Sequence, residues 1–168
     1  MREFLINLVS NWPPELATAL LAALPVTELR ASIPVAIGGW HLSWSSALAW
    51  SLVGNIIPVF FILWLLEPVA QWLKRVSPTA DRLIEWLFAR TRRKFNHDYE
   101  TYGLIGLAIF VAIPLPGTGA WTGAMAAWLF NIPFKKAVPA IAAGIVGAGI
   151  VVTLITVGAI KGLGWLLG

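Results

Sequence analysis

Two charged residues sit inside an apolar stretch that offers them no water. Glu28 and Arg30 lie within residues 16–42, between Pro25 and Pro34, and form an oppositely charged pair embedded among apolar neighbours. A charge at the centre of a membrane helix costs about 2.5–3.5 kcal/mol by insertion scales, so neither side chain is expected to face lipid. Residues two apart on a regular helix point to different sides. A side-chain pair therefore needs the non-helical backbone that Pro25 and Pro34 permit. Two readings follow. In one, Arg30 holds an anionic headgroup or phosphate and Glu28 titrates or coordinates a cation. In the other, the pair neutralises itself and fixes a turn.

The second stretch with chemical potential is Pro114-Leu-Pro-Gly-Thr-Gly119, two prolines and two glycines in six residues. Such a run offers backbone amides and leads into a helix starting near Ala120, and helix N-termini attract anions through unpaired N–H groups and the dipole. Thr118 is placed to cap that helix, and Thr122 adds a second hydroxyl. The tip reads either as a ligand cradle or as a simple turn. The candidate binding residues are thus Pro25, Glu28, Arg30 and Pro34 in the first region, with Pro114, Pro116, Gly117, Thr118, Gly119 and Thr122 in the second. Catalytic chemistry is not expected. The chain has no cysteine, His41 and His97 lack metal-ligand companions at useful spacing, and neither a Ser/His/Asp arrangement nor a phosphate-binding loop occurs. Neither a metal nor a cofactor is expected.

What must position these residues is a membrane protein. The 168 residues are 58% hydrophobic and only 12% charged, with ten tryptophans and a mean hydropathy of +0.79, against roughly 25% charged residues in soluble domains. Two apolar runs, 46–66 and 137–160, are long enough to span, since about 20 residues at 1.5 Å rise cross a hydrocarbon core of ~30 Å. Met1 to Asn11 shows no removable signal. The net charge of +4 is read as a report of topology and lipid-headgroup contact rather than of nucleic acid. Trp12, Trp40, Trp44, Trp72 and Trp165 suit an interfacial aromatic belt.

Two further apolar regions are interrupted midway: 16–42, cut at Pro25 to Pro34, and 104–132, cut at Pro114 to Gly119. The uninterrupted arms of the second, 104–113 and 120–131, are about 15–18 Å long, roughly half a bilayer. Broken backbone at that depth is tolerated only where it is buried in protein or lines a wet cavity. The halves also resemble each other: setting Pro25 against Pro116 aligns Thr27 with Thr118, 91 residues on. The expected fold is an all-α integral membrane domain over 1–168, with repeat 1 at about 13–66 and repeat 2 at about 103–161. Each repeat comprises a re-entrant helical hairpin followed by a transmembrane helix, the two being inverted. Between them lies a polar connector, about 67–102, with seven Lys/Arg and five Asp/Glu. It reads as one or two amphipathic interfacial helices broken at Ser77-Pro78 and ending in the cluster Arg90, Arg92, Arg93 and Lys94. Gly119, Gly123 and Ala127, and again Ala140, Gly144 and Ala148, recur every four positions, a spacing that lets helices approach closely.

The stretches "PVTELRASIPVAI" (25–37) and "YGLIGLAIFVAIPLPGTGAWTGAMAAWLF" (102–130) resemble the small multidrug export family, which looks like a branch of the DedA superfamily. The resemblance implies two re-entrant hairpins facing each other from opposite membrane sides. It also implies lipid-phosphate carrier transport or lipid scrambling as the nearest activities, with proton coupling. One departure is plain. The superfamily implies membrane-embedded arginine near the second hairpin, yet no charged residue occurs between Tyr102 and Lys135, so any ionisable chemistry falls mostly to the first hairpin.

With re-entrant hairpins, the connector and Lys135-Lys136 share one face and hold nine Lys/Arg, with Arg2 and Lys161 opposite. The positive-inside rule puts the nine in the cytoplasm. With fully crossing interrupted helices the count is again nine against two, so charge alone leaves both topologies open. The expected function is transport of a small molecule or lipid-phosphate carrier, ion- or proton-coupled, in a cell (inner or plasma) membrane as a multi-pass homo-oligomer. Uncoupled lipid scrambling and a non-transporting membrane scaffold are the alternatives. Membrane lipids and a small-molecule or lipid substrate are the expected partners.

Overall fold

The computed structural model describes residues 12–92, 99–115 and 118–167. The readings of Met1–Asn11, Arg93, Lys94, His97, Pro116 and Gly117 lie outside the described residues. Those described form α1 (Pro14–Ala23), α2 (Glu28–Gly38), α3 (Trp44–Val76), α4 (Pro78–Arg92), α5 (Tyr99–Ala112), α6 (Ala120–Leu129) and α7 (Phe134–Leu167).

Local chemistry explains where α1 begins and ends. Pro14 opens it, where a missing N–H costs nothing, and Glu15 lies in its first turn. Its end is dictated by Pro25. The residue before a proline is pushed out of the α region, and Leu24 is extended, with φ −77° and ψ 139°. Four residues later α2 starts, and α1 and α2 pack together as a helical hairpin. Pro34 does not interrupt the chain as expected: it lies inside α2, which continues to Gly38. A proline removes one intrahelical bond, but in apolar surroundings every further broken peptide group costs several kcal/mol, so the backbone stays helical on both sides. Pro58, Pro68 and Pro139 are likewise housed within helices.

The arms of the second hairpin, α5 and α6, fall close to the expected boundaries and also pack on each other. Two helices, α3 and the residues Phe134–Gly162 of α7, are long and apolar enough to cross a membrane. The 33 residues of α3 make a rod of about 50 Å, well beyond a ~30 Å hydrocarbon core. Residues 67–76, expected to belong to a separate interfacial helix, are therefore the continuation of α3. The break at Ser77-Pro78 stands, with α4 beginning at Pro78. Phe60, Phe61 and Trp64 of α3, and Leu154 and Ile155 of α7, are exposed, as side chains meeting lipid would be.

The chain divides into two compact units, Met1–Ile57 with Ile145–Gly168, and Pro58–Gly144. In the first, α1 lies against the start of α3 so closely that a Cβ on Gly54 would sit 2.0 Å from the Ala19 carbonyl oxygen. In the second, a Cβ on Gly144 of α7 would sit 2.5 Å from the carbonyl oxygen of Ala108 on α5. Each hairpin thus presses a backbone carbonyl of its first helix onto a glycine of the long helix that follows it. Val111 meets both Gly123 and Gly144, so in this unit the small residues serve helix packing.

Candidate functional site

The first hairpin closes through Thr27, whose hydroxyl donates to the Leu21 carbonyl across the turn. The next residue, Glu28, opens α2 with a left-handed backbone, φ 47°, while its N–H still bonds the Leu24 carbonyl at 3.0 Å. A left-handed non-glycine residue costs about 1–3 kcal/mol and persists only where its surroundings over-determine it. The distortion has a visible result. Arg30 Nη2 lies 3.7 Å from Glu28 Oε2, an i,i+2 contact that a regular helix does not supply. The Glu28 side chain is 8% exposed and that of Arg30 is 23% exposed. The pair therefore forms as expected but not by the expected route. Its backbone irregularity belongs to Glu28 itself, and Pro34 lies further along an intact helix.

Beneath the pair runs a polar face that sequence reading passes over. Ser32, one turn past Glu28 on α2, is fully buried and hydrogen-bonds Ser51 of α3, Oγ to Oγ, at 2.7 Å. Asn55, one turn past Ser51, is 1% exposed, and its Oδ1 has no hydrogen-bond partner. Other buried hydroxyls of this unit turn back on their own helices. Thr18 donates to the Pro14 carbonyl (2.6 Å), Thr153 to that of Gly149 (2.7 Å) and Thr156 to that of Val152 (2.8 Å). The signal that could have revealed Ser51 and Asn55 was there: two polar residues four apart, hence on one face, within an otherwise apolar span.

The second tip is organised differently from its expected form. Thr118 does not cap α6. Its Oγ1 points back into the turn, 2.6 Å from the Ile113 carbonyl oxygen and 2.9 Å from that of Leu115, and accepts the Leu115 N–H at 3.3 Å. Capping falls to Thr122, which accepts the Gly119 N–H at 2.8 Å and donates to the Gly119 carbonyl at 3.1 Å. Gly119, extended at φ −135°, is the residue preceding the helix. The amides of Leu115, Thr118 and Gly119 are thus already engaged within the turn. Pro114 shapes the start of this turn, and Pro25 lies exposed in the first. Near the end of α6, Trp128 donates its indole N–H to Glu67 Oε2 at 2.8 Å, fastening α6 to the far part of α3.

The sequence from residue 28 to residue 151 matches the family model described as putative small multi-drug export protein. The match begins at Glu28 and includes Arg30, Ser32, Ser51, Asn55 and the whole second hairpin. No curated protein and no solved structure matches the chain.

Proposed function

The chain belongs to the small multi-drug export protein family, and on that premise we propose that it transports its substrate past the charge pair of the first hairpin. The observation that carries this reading is Glu28: a buried carboxylate, held in a left-handed backbone, that faces Arg30 within an apolar membrane segment. A structural ion pair has no need of such strain, because a pair of apolar residues of similar volume packs as well or better. Strained, ionisable residues at membrane depth are the hallmark of ligand and ion pathways. In this reading Arg30 engages an anionic group of the passenger, a phosphate or carboxylate. Glu28 provides the site for the coupled ion or proton.

The two hairpins are proposed to be re-entrant, entering from opposite faces of an inner or plasma membrane, with the connector and Lys135-Lys136 in the cytoplasm. Support comes from the half-bilayer length of their arms and from the matching roles of Thr27 and Thr118, which sit at equivalent positions of the proposed inverted repeat. Such an arrangement fits the DedA superfamily, a multi-pass homo-oligomer and a transporter rather than an enzyme. Cysteines placed at Lys135 and at Arg92 should react from the same face.

The deciding measurement is uptake into proteoliposomes of purified protein, with labelled lipid and small organic ions, each with and without a pH or sodium gradient. Gradient-dependent movement is expected. Arg30→Ala should lower it at least about tenfold, the loss of one charge-assisted contact, with folding unchanged by size-exclusion chromatography. Full transport by Arg30→Ala overturns its anion role. Lipid exchange indifferent to any gradient replaces the reading with scrambling.

A further inference from the structure

We propose that Glu28, Ser32, Ser51 and Asn55 form a binding site for a partly dehydrated monovalent cation, Na+. The first support is the register between α2 and the start of α3. Residues 39–43 join the two helices, and the Ser32–Ser51 bond ties them at nearly the same distance from that link on each side, so they run antiparallel. One turn back from Ser32 is Glu28, and one turn on from Ser51 is Asn55. The register that pairs the serines therefore brings residues 28 and 55 to the same level of the helix pair. All four residues are buried.

The second support is Asn55 itself. Its Oδ1 is an acceptor closed off from solvent with no donor in reach, whereas Thr18, Thr153 and Thr156 in the same unit all find partners. Buried polar atoms without partners are rare in native proteins and call for a specific explanation. A positive ligand supplies what this oxygen lacks. The donor set then names the class. Four oxygens, one from a carboxylate, two from hydroxyls and one from an amide, suit a hard cation and not a thiolate-loving metal. A single carboxylate, with the Arg30 guanidinium 3.7 Å from it, leaves too little negative charge for Ca2+, and Mg2+, which dehydrates reluctantly, gains too little from one such carboxylate. A hydroxyl has two acceptor lone pairs, so each serine can bind an ion while the Ser32–Ser51 bond persists.

The site deepens the transport reading and rests on it only for the ion's role as the coupled species; binding itself is measured apart from transport. Purified protein in detergent is titrated with 22Na+ at constant ionic strength, with K+ and choline as competitors. Saturable binding displaced weakly by K+ and not by choline is expected, together with a thermal midpoint that rises with Na+ as mass action requires. Asn55→Leu should weaken binding about tenfold or more, the effect of one lost polar contact. Asn55→Asp, which keeps the oxygen, should retain it. Should Asn55→Leu fail to fold, Ser32→Ala and Asn55→Asp carry the test.

Absence of saturable Na+ binding, equal displacement by choline, or binding unchanged in Asn55→Leu each overturns the site. The last result would mean that Asn55 holds a structural water. Na+ binding without any transport keeps the site and removes the transport reading; transport without Na+ binding does the reverse.

Discussion

In the first hairpin Thr27 closes the turn onto Leu21, and Gly54 of the following long helix lets the Ala19 carbonyl come close. In the second, Thr118 closes the turn onto Ile113, and Gly144 does the same for the Ala108 carbonyl. The mechanical parts therefore recur. The chemical parts do not. Moving 91 residues along the sequence, the offset that aligns the two threonines, turns Glu28 into Gly119, Arg30 into Trp121 and Ser32 into Gly123. Ser51 becomes Ala142, and Asn55 becomes Val146. Every polar member of the first site has an apolar counterpart 91 residues further along the chain. Scaffold and chemistry are thus separable in this chain, and each can be attacked without the other.

The glycines give the sharpest attack on the scaffold. A Cβ at Gly54 meets the carbonyl oxygen of Ala19 at 2.0 Å and its Cα at 2.7 Å, backbone atoms that cannot rotate away. Gly54→Ala should cost about 3 kcal/mol, the upper part of the usual range for overpacking. Gly144→Ala, at 2.5 Å from a carbonyl oxygen, should cost about 2 kcal/mol. At Gly123 the obstacle is Val111 Cγ2, the end of a side chain, at 2.5 Å. There the helix propensity gained by alanine, about 1 kcal/mol, offsets much of the strain. Chemical unfolding in detergent should rank Gly54 above Gly144 above Gly123. A Gly54→Ala protein as stable as the parent would break the claim that the hairpins share one mode of seating.

The turn threonines test the same equivalence with a smaller effect. Thr27→Val and Thr118→Val keep shape and remove a hydroxyl that closes a tip, so each should lose about 1 kcal/mol. The two losses should agree within about 0.5 kcal/mol, the usual spread of such hydrogen-bond contributions. A loss confined to one of them would show that the alignment of the threonines carries no common role. Because Glu28 and Arg30 follow Thr27 directly, Thr27→Val should also disturb transport, and Thr118→Val much less.

Much of this scaffold was legible in the sequence, because prolines and glycines act locally. Pro25 ends α1 at Ala23 by holding Leu24 extended, and the Pro114–Gly119 run marks the gap between α5 and α6. Reading failed where a local rule meets a longer-range one. Pro34 weakens a helix locally, but packing and the lack of water keep α2 intact through it. Thr118 and Thr122 are both close enough to α6 to cap it, and only the extended backbone of Gly119 decides for Thr122. A left-handed glutamate has no sequence signature at all, so the Glu28–Arg30 contact was foreseen with the wrong cause. Ser51 and Asn55 were hidden by their surroundings, since two polar residues barely mark a long apolar span.

The smallest effect bears hardest on what that hidden layer is for. Ser32→Ala and Ser51→Ala each remove half of the 2.7 Å hydroxyl pair, and the double variant imitates the stretch 91 residues on, where glycine and alanine stand at these positions. The single losses should be cheap, because a stranded serine can turn its hydroxyl to the carbonyl four residues back, as Thr153 and Thr156 do. Interhelical hydrogen bonds in membranes average about 0.6 kcal/mol in double-mutant cycles, with a ceiling near 1.7. A cycle measured by unfolding in detergent should therefore give a coupling of roughly 0.6 kcal/mol. At that size the layer adds little to stability, and its burial is accounted for by the ion it binds. A coupling above about 2 kcal/mol would exceed what such bonds supply. The serines would then be the adhesive of the first hairpin, and its contrast with the second would be one of packing strength rather than of chemistry.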